Sequence, residues 1–439
     1  MSLQQLNQYS QFTDELKALY ERFPLDFSND ASNELLSVDQ ALDGAASDRL
    51  KELIAPDVLK QQSAFFTGRE LSNWLLSDIE GEIVSENGAV VFDPACGAGD
   101  LLIAAARHLP IFETLDETLW HWSQRLKGYD QSQSFIEATK YRLALLALHR
   151  QSISPDPLPN PLNYFDEIRK VDDSLSDLDW PECDYVLLNP PFSKVQAPED
   201  LDWASGTVSQ AGLFLMRSLD ILSSGQGILA ILPDVLRSGS RYRRWREGVE
   251  SAAIIKKMKT IGKFDSSTDI DVFGVHLTSS TDESVSEQWW PRGDEDLKRV
   301  GNLFNLKVGP VVPHRNSESE ATIPFFDTSS LPPWETIDSS DAPVRGYERS
   351  TVTPPFVTVR RTSSPSDPKR AVGTIVTGKH QVAVENHLIV LTPKEGGLEK
   401  CKELLRRLED DRTDDWLNTR IRCRHLTISS LEKLPWWEL

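Results

Sequence analysis

A strand that runs straight into a glycine turn and then a helix most narrows what this chain can fold into. Ala89-Val90-Val91-Phe92 is apolar, Asp93-Pro94-Ala95-Cys96-Gly97-Ala98-Gly99 reads as a turn, and Asp100-Leu101-Leu102 opens an amphipathic helix predicted to run toward His108. Gly97 and Gly99 lack a Cβ, so the backbone there can approach a ligand closely. The turn has neither the third glycine of a dinucleotide fingerprint nor the Gly-Lys-Ser/Thr of a phosphate loop, which disfavours a pyrophosphate or triphosphate. Asp93 and Asp100 agree, because carboxylates repel phosphate and welcome an ammonium or sulfonium. A second strand, Leu126-Lys127-Gly128-Tyr129-Asp130, ends in an acid placed to accept both hydroxyls of a ribose. Its separation from Gly99 exceeds the usual ~20 residues, and a helix extension through 120–124 accounts for the excess. S-adenosylmethionine meets all of these conditions.

Apolar runs near 89–94, 126–130, 183–189, 226–232 and 255–261 alternate with helical segments such as 135–149 and 213–222. That alternation predicts a doubly wound α/β core with a mainly parallel sheet. The runs 255–261 and 271–279 are joined too briefly for a parallel crossover and should pair antiparallel. Gly97 and Asn189, at the carboxyl ends of adjacent strands, would meet at a topological switch point. Between 279 and 296 the chain turns polar and acidic, the best domain boundary. Short β-rich segments with more Pro and Ser then continue to about Leu398. The expected division is a helical acidic leader over 1–60, a catalytic domain over 61–290 and a third domain over 291–439.

Asn189-Pro190-Pro191-Phe192 follows the apolar run Tyr185-Val186-Leu187-Leu188. This order of an amide, two prolines and an aromatic suits methylation of an exocyclic amino group. Such an amine is a poor nucleophile, because its lone pair is spread into the heterocycle. If the Asn189 side-chain oxygen and the Pro190 carbonyl each accept one N–H, the nitrogen is drawn toward tetrahedral geometry. The prolines fix the direction of that carbonyl. Phe192 offers a face for stacking, worth roughly 1–3 kcal/mol per base by analogy with single-strand binders. The same tetrapeptide is also a plausible turn, with proline ending the strand.

With both motifs in place, the chain resembles the amino-group DNA methyltransferases of the gamma order, in which the cofactor motifs precede the Asn-Pro-Pro-aromatic motif and target recognition follows. The resemblance implies a Rossmann-like S-adenosylmethionine-dependent methyltransferase fold, mostly parallel with an antiparallel last strand, followed by a β-rich C-terminal recognition domain. It implies cofactor contacts from Asp93, Pro94, Ala95, Cys96, Gly97 and Gly99, with Asp130 on the ribose. Ser63-Ala64-Phe65-Phe66-Thr67-Gly68-Arg69-Glu70 resembles the N-terminal motif whose Thr, here Thr67, helps hold the methionine carboxylate. Gly68 stands where the family has Pro. Asn163-Tyr164-Phe165-Asp166 is similar to the motif in which Asp166 would bond the adenine amino group and Phe165 lie against its ring. Gly262-Lys263-Phe264 resembles the loop whose aromatic edge contacts an extruded base, although Phe264 also suits a core position. Leu306-Lys307-Val308-Gly309, Phe325-Phe326-Asp327 and Val384-Glu385-Asn386-His387 resemble the recognition domain of TaqI-type adenine methyltransferases. The implied activity is site-specific transfer of a methyl group to adenine N6 in a flipped base of double-stranded DNA, within a restriction-modification or phage-defence system. Cytosine N4, RNA or protein as substrate, and a partner-dependent or non-catalytic DNA-binding subunit, are the alternatives.

A formal net charge of −20 opposes DNA binding through phosphate neutralisation, so local distribution decides. Between Arg237 and Lys263 stand nine bases, including Arg241, Arg243, Arg244, Arg246 and Lys257, against Glu247 and Glu250 alone. Arg360, Arg361, Lys369, Arg370 and Lys379 form a second basic region. Either region reads as a DNA-backbone surface or as an ordinary solvated face. The first 60 residues carry eleven acids against five bases, and Phe12, Leu16, Leu19 and Phe23 recur at helical spacing. They suit a buttress against the catalytic domain, or a docking surface for a restriction or defence subunit. Cys96, Cys183, Cys401 and Cys423 lack the spacing of a zinc site or disulfide framework, and no metal is expected. No apolar run approaches 18 residues, so a cytoplasmic protein without a membrane segment is expected.

Overall fold

The computed structural model describes residues 3–23, 37–44, 46, 48, 69–85, 88–151, 157–176, 179–264, 270–279, 286–290, 296–312, 322–346, 350–363, 367–422 and 425–438. The chain divides into two compact units, Met1–Leu236 with Arg241–Glu287, and Arg237–Ser240 with Gln288–Leu439. The polar boundary expected over 279–296 falls largely outside the described residues.

The first unit is built on β1 (Val91–Asp93), β2 (Leu126–Asp130), β3 (Ile168–Lys170), β4 (Tyr185–Leu188), a separate hairpin of β5 (Lys194–Gln196) and β6 (Thr207–Ser209), then β7 (Gly227–Pro233), β8 (Ile254–Lys263) and β9 (Asp271–Thr278). Seven of these form one sheet in the order β3-β2-β1-β4-β7-β9-β8. The pairs β1–β2, β2–β3, β1–β4 and β4–β7 are parallel, and β9 runs antiparallel to both β7 and β8. This is the expected mostly parallel sheet with an antiparallel last strand. β9 also inserts between β7 and β8. Burial explains the placement, since β7 and the interior of β9 are enclosed while β8 exposes Lys256 and Lys259 as a charged edge strand.

The helix after the glycine turn spans Asp100–Ala106, and every residue from Leu101 to Ala106 is buried, so it is enclosed where an amphipathic helix was expected. It packs beside Arg69–Leu76 and Gln133–Arg150. The leader covers Gln133–Arg150 in turn. Its helix Leu3–Arg22 buries Tyr9, Phe12, Leu16, Leu19 and Tyr20, with the Tyr9 ring edge-on to Phe135 at 4.4 Å. Thr13 Oγ1 donates to the Ser134 carbonyl at 3.2 Å and Tyr20 to the Pro159 carbonyl at 2.9 Å. The helix is therefore part of the core.

In the second unit β10 (Phe304–Val308), β11 (Thr322–Phe326), β12 (Thr336–Asp338), β13 (Val344–Gly346), β14 (Phe356–Arg360), β15 (Gly373–Thr377), β16 (Ala383–Val384) and β17 (Leu388–Pro393) form a five-stranded sheet, β10-β17-β14-β15-β12, and a three-stranded one, β13-β11-β16. The helix Gly397–Glu409 packs on β14 and β15, placing Cys401, Leu404 and Leu408 in a core with Val357, Val359 and Ile375. No described helix is long and apolar enough to cross a membrane.

Because Phe12 is 1 % exposed, Phe12→Ala should lower the unfolding free energy by about 3–5 kcal/mol in urea denaturation. A loss below about 1 kcal/mol would mean that the leader is undocked in solution.

Candidate active site

β1 and β4 are neighbours, and the strand order reverses between them, so the glycine turn and Asn189 leave the same edge of the sheet side by side. Within the turn, Gly97 has φ 54° and Gly99 φ 87°, left-handed conformations that suit glycine. A Cβ on Gly99 would lie 2.5 Å from Thr139 Cγ2. The Cys96 N–H donates to the Tyr129 carbonyl at 2.9 Å, tying the turn to β2. From beneath, Thr139 Oγ1 donates to the Gly97 carbonyl at 3.0 Å and Arg142 Nη1 to the Ala98 carbonyl at 2.5 Å. Neither residue was expected from the sequence. The signal available was a pair of polar residues three apart, both on the buried face of the helix Gln133–Arg150.

Arg142 is 0 % exposed and its Nη1 also pairs with Asp100 Oδ1 at 2.8 Å. This corrects the reading of Asp100 as a carboxylate held out to a cationic ligand, since it is anchored to the scaffold. Asp130 does face the turn. Its Oδ2 accepts the Gly97 N–H at 3.1 Å and its Oδ1 the Ser132 N–H at 2.8 Å. Each oxygen keeps a second lone pair for a further donor such as a ribose hydroxyl. Asp93 is buried and accepts the Ala95 N–H at 3.0 Å. Burial pushes the Asp93 carboxyl up to about 8, aided by the charges of Asp130 and Asp100 and opposed by the Ala95 N–H. Burial likewise raises Asp130 to about 6 against the Ser132 and Gly97 N–H groups. Cys96 is buried and its thiol is driven up by burial, so it packs and does not react.

The other expected cofactor residues are less well gathered. Phe165 has φ 57° and its ring is fully buried, while Asp166 is exposed, so the expected ring contact from Phe165 is enclosed here. Thr67 lies outside the described residues.

Asn189 emerges from the fully buried β4 with its side-chain oxygen screened from solvent, and Pro190 is buried behind it. Phe192 is 8 % exposed and meets Phe264 edge to face, with centroids 5.6 Å apart and planes at 88°. Gly262, at φ 102°, stands at an irregularity in the pairing of β8 with β9, two residues before Phe264. Ser193 Oγ donates to Gln210 Oε1 at 2.5 Å, closing the base of the β5–β6 hairpin that follows.

Of the basic candidates, Arg241, Arg243 and Arg244 are exposed. Arg241 donates to the Ser205 carbonyl, Arg244 Nη1 reaches the Asp202 carbonyl at 3.4 Å, and Arg243 lies 3.7 Å from Glu247. Arg246 is only 6 % exposed and donates to the Leu236 carbonyl at 2.9 Å, because it shares the buried face of the helix Arg243–Ala252 with Trp245 and Val249. It is removed from the DNA-backbone candidates. Lys257 pairs with Asp78 at 2.9 Å and lies over Trp74, so it too serves packing. In the second unit Arg360 Nη2 donates to the Leu331 carbonyl at 3.1 Å, Lys369 pairs with Asp411 and Asp414, and Arg370 is 0 % exposed. The half-buried Arg361 and the exposed Lys379 keep their candidacy there.

Residues 50–256 match the family described as N-6 DNA methylase. The resemblance drawn from the motifs is therefore borne out over the segment that holds both of them. No curated protein matches the chain. Among solved structures, the type IIL restriction-modification enzyme MmeI in complex with DNA aligns over 90% of this chain at 11% identity with a TM-score of 0.53, which supports the same fold. The type IIG restriction endonuclease BpuSI (13% identity, 99% of this chain, TM-score 0.44) and the type I restriction enzyme EcoKI M protein (14%, 62%, 0.38) also match. This chain spans 65%, 67% and 63% of those three proteins. S-adenosyl-L-methionine is the cofactor such methylases use. The residues present fit it, with left-handed Gly97 and Gly99 in the turn and Asp130 beside the turn with acceptor capacity to spare.

Asp93 and Asp130 hold their protons to higher pH when folded than when unfolded, where Asp titrates near ~4. Their contribution to stability is thus present at low pH and lost as pH rises through about 6 and about 8. A cationic cofactor favours the ionised carboxylates, so its binding should release protons and tighten between pH 6 and 8. Calorimetry in buffers of different ionisation heat measures this, and S-adenosylhomocysteine, without the sulfonium charge, should release fewer protons. Affinity independent of pH, with no proton release, would remove both carboxyls from the cofactor's field.

Proposed function

We propose that the protein methylates the N6 amino group of an adenine flipped out of duplex DNA, at a specific sequence, as part of a restriction-modification or defence system. The observation that carries this reading is the emergence of Asn189 and Pro190 beside the glycine turn, with the Phe192–Phe264 corner next to them. Extruding the base costs a few kcal/mol. Its ring stacks on Phe192 while Phe264 offers an edge, and its two N–H bonds go to the Asn189 side-chain oxygen and the Pro190 carbonyl. Holding both N–H groups out of the ring plane restores the nitrogen lone pair. Bound S-adenosyl-L-methionine supplies an electrophilic methyl on a sulfonium. Held at the glycine turn and Asp130, the cofactor would give that methyl to the amine and leave as S-adenosylhomocysteine, with the amine's proton passing to solvent. Orientation by the acceptors and the aromatic corner provides the advantage.

The DNA-bound state of MmeI, a protein of the same fold, supports duplex DNA as substrate. Arg241, Arg243 and Arg244 are the backbone contacts we assign to the first unit, and the second unit is assigned to target recognition. A partner subunit remains part of the proposal, but it would meet the polar face of the leader helix, since the apolar face is already buried.

Asn189→Ala should reduce turnover by about 10²–10³-fold, comparable to deleting one hydrogen-bonding group at a reacting centre, while calorimetry shows cofactor affinity within about twofold. Full activity in this variant would refute the catalytic assignment. Replacing Arg243 and Arg244 together by Ala should weaken binding to all duplex sequences alike and flatten the salt dependence by about 2 in the log–log slope. An unchanged slope takes this surface out of the interface.

A further inference from the structure

Residues 41–43 of the leader bond three arginines around the glycine turn and its helix. They end the short helix Val38–Leu42, which starts at a Ser37–Gln40 capping box and buries Ala41 and Leu42. The Ala41 carbonyl accepts Nε–H of Arg142 at 2.7 Å, and the same guanidinium holds the Ala98 carbonyl and Asp100. Asp43 lies between two further arginines, accepting from Arg107 at 2.8 Å and from Arg69 at 3.0 Å. Arg107 caps the C-terminal end of the helix Asp100–Ala106, whose N-terminal end is the glycine turn. Arg69 opens the helix Arg69–Leu76, two residues after Thr67. The leader thus grips both ends of the glycine-turn helix and the start of the helix that follows the expected carboxylate-binding motif.

The strengths of these links differ. The Arg69 side chain is 58% exposed, so its pair with Asp43 is screened by solvent and weak. Arg107 and Asp43 are 22% and 28% exposed, and Arg142 is fully enclosed, so the grip runs mainly through those two arginines. The cavity bounded by Leu42, Asp43, Arg69, Asp100 and Arg107 has a volume of about 20 Å³, room for one water molecule, which leaves the pieces little slack.

We propose that residues 41–43 form a clamp that positions the cofactor turn, so that cofactor affinity depends on the docked leader. Asp43 and Arg142 act as positioning residues, and a partner that drew the leader away would weaken cofactor binding without touching the reacting groups. The proposal rests on the glycine turn being the S-adenosyl-L-methionine site.

Calorimetric titration of the full chain with S-adenosyl-L-methionine tests it, using the wild type, Asp43→Ala, Arg142→Lys and the double variant. Asp43→Ala should weaken binding about 5–20-fold, within the range typical of coupled sites, with near-UV circular dichroism unchanged and faster hydrogen exchange at the Gly97 and Gly99 amides. Arg142→Lys should weaken it at least as much, and the double variant should be weaker than either single change, because Asp43 holds the turn helix through Arg107 while Arg142 ties the turn to the Ala41 carbonyl, two separate links. Wild-type affinity in Asp43→Ala, or a double variant no weaker than Arg142→Lys alone, would overturn the clamp. If Arg142→Lys does not fold, Asp43→Ala decides alone through its affinity and exchange. A wild type that binds no cofactor would instead overturn the reading of the site itself.

Discussion

Parallel pairing of β1 with β4, in the register Val91 to Tyr185 and Phe92 to Val186, is the constraint from which the rest follows. Each strand is buried along its whole length, so neither tolerates an edge position and they become neighbours in the middle of the sheet. The chain then leaves β1 toward β2 and leaves β4 toward β7, opening a crevice at their carboxyl ends. One strand delivers a glycine turn to that crevice and the other an amide followed by two prolines. A cofactor and a base can meet there because the sheet puts their binding segments side by side.

Holding that crevice open requires buried charge. Asp93, Asp130 and Arg142 sit where isolated ions are costly, and each is compensated by a specific partner: the Ala95 N–H, the Gly97 and Ser132 N–H groups, and Asp100 with two carbonyls. The two acids are left with raised pKa values because burial outweighs those hydrogen bonds. Thr139 and Arg142 bond the carbonyls of the turn from below, so the groups that face a ligand are pre-set by groups that do not touch it.

Much of this was legible in the residues. The core strands stand out as apolar runs, and the glycine turn, Asp130 and Asn189 to Phe192 are short motifs whose chemistry is local. Other features depend on three-dimensional context. β3 is three residues long with one buried side chain, too little pattern to detect. The insertion of β9 between β7 and β8 is set by relative burial, which no local pattern encodes. Arg246 was grouped with exposed arginines because a charge run was counted without its helical phase, and that phase puts it beside Trp245 on the buried face. Asp100 looked like a ligand contact until Arg142, far along the chain, took its carboxylate. Asp43 gave no signal at all, being one acid among many in an acidic leader.

Mass spectrometry of nucleosides from unmodified duplex DNA, incubated with the purified protein and methyl-labelled S-adenosyl-L-methionine, tests the central claim most directly. The account predicts label in N6-methyladenine and in no other nucleoside. Label confined to another base, or none in DNA from a protein that binds the cofactor, would contradict it.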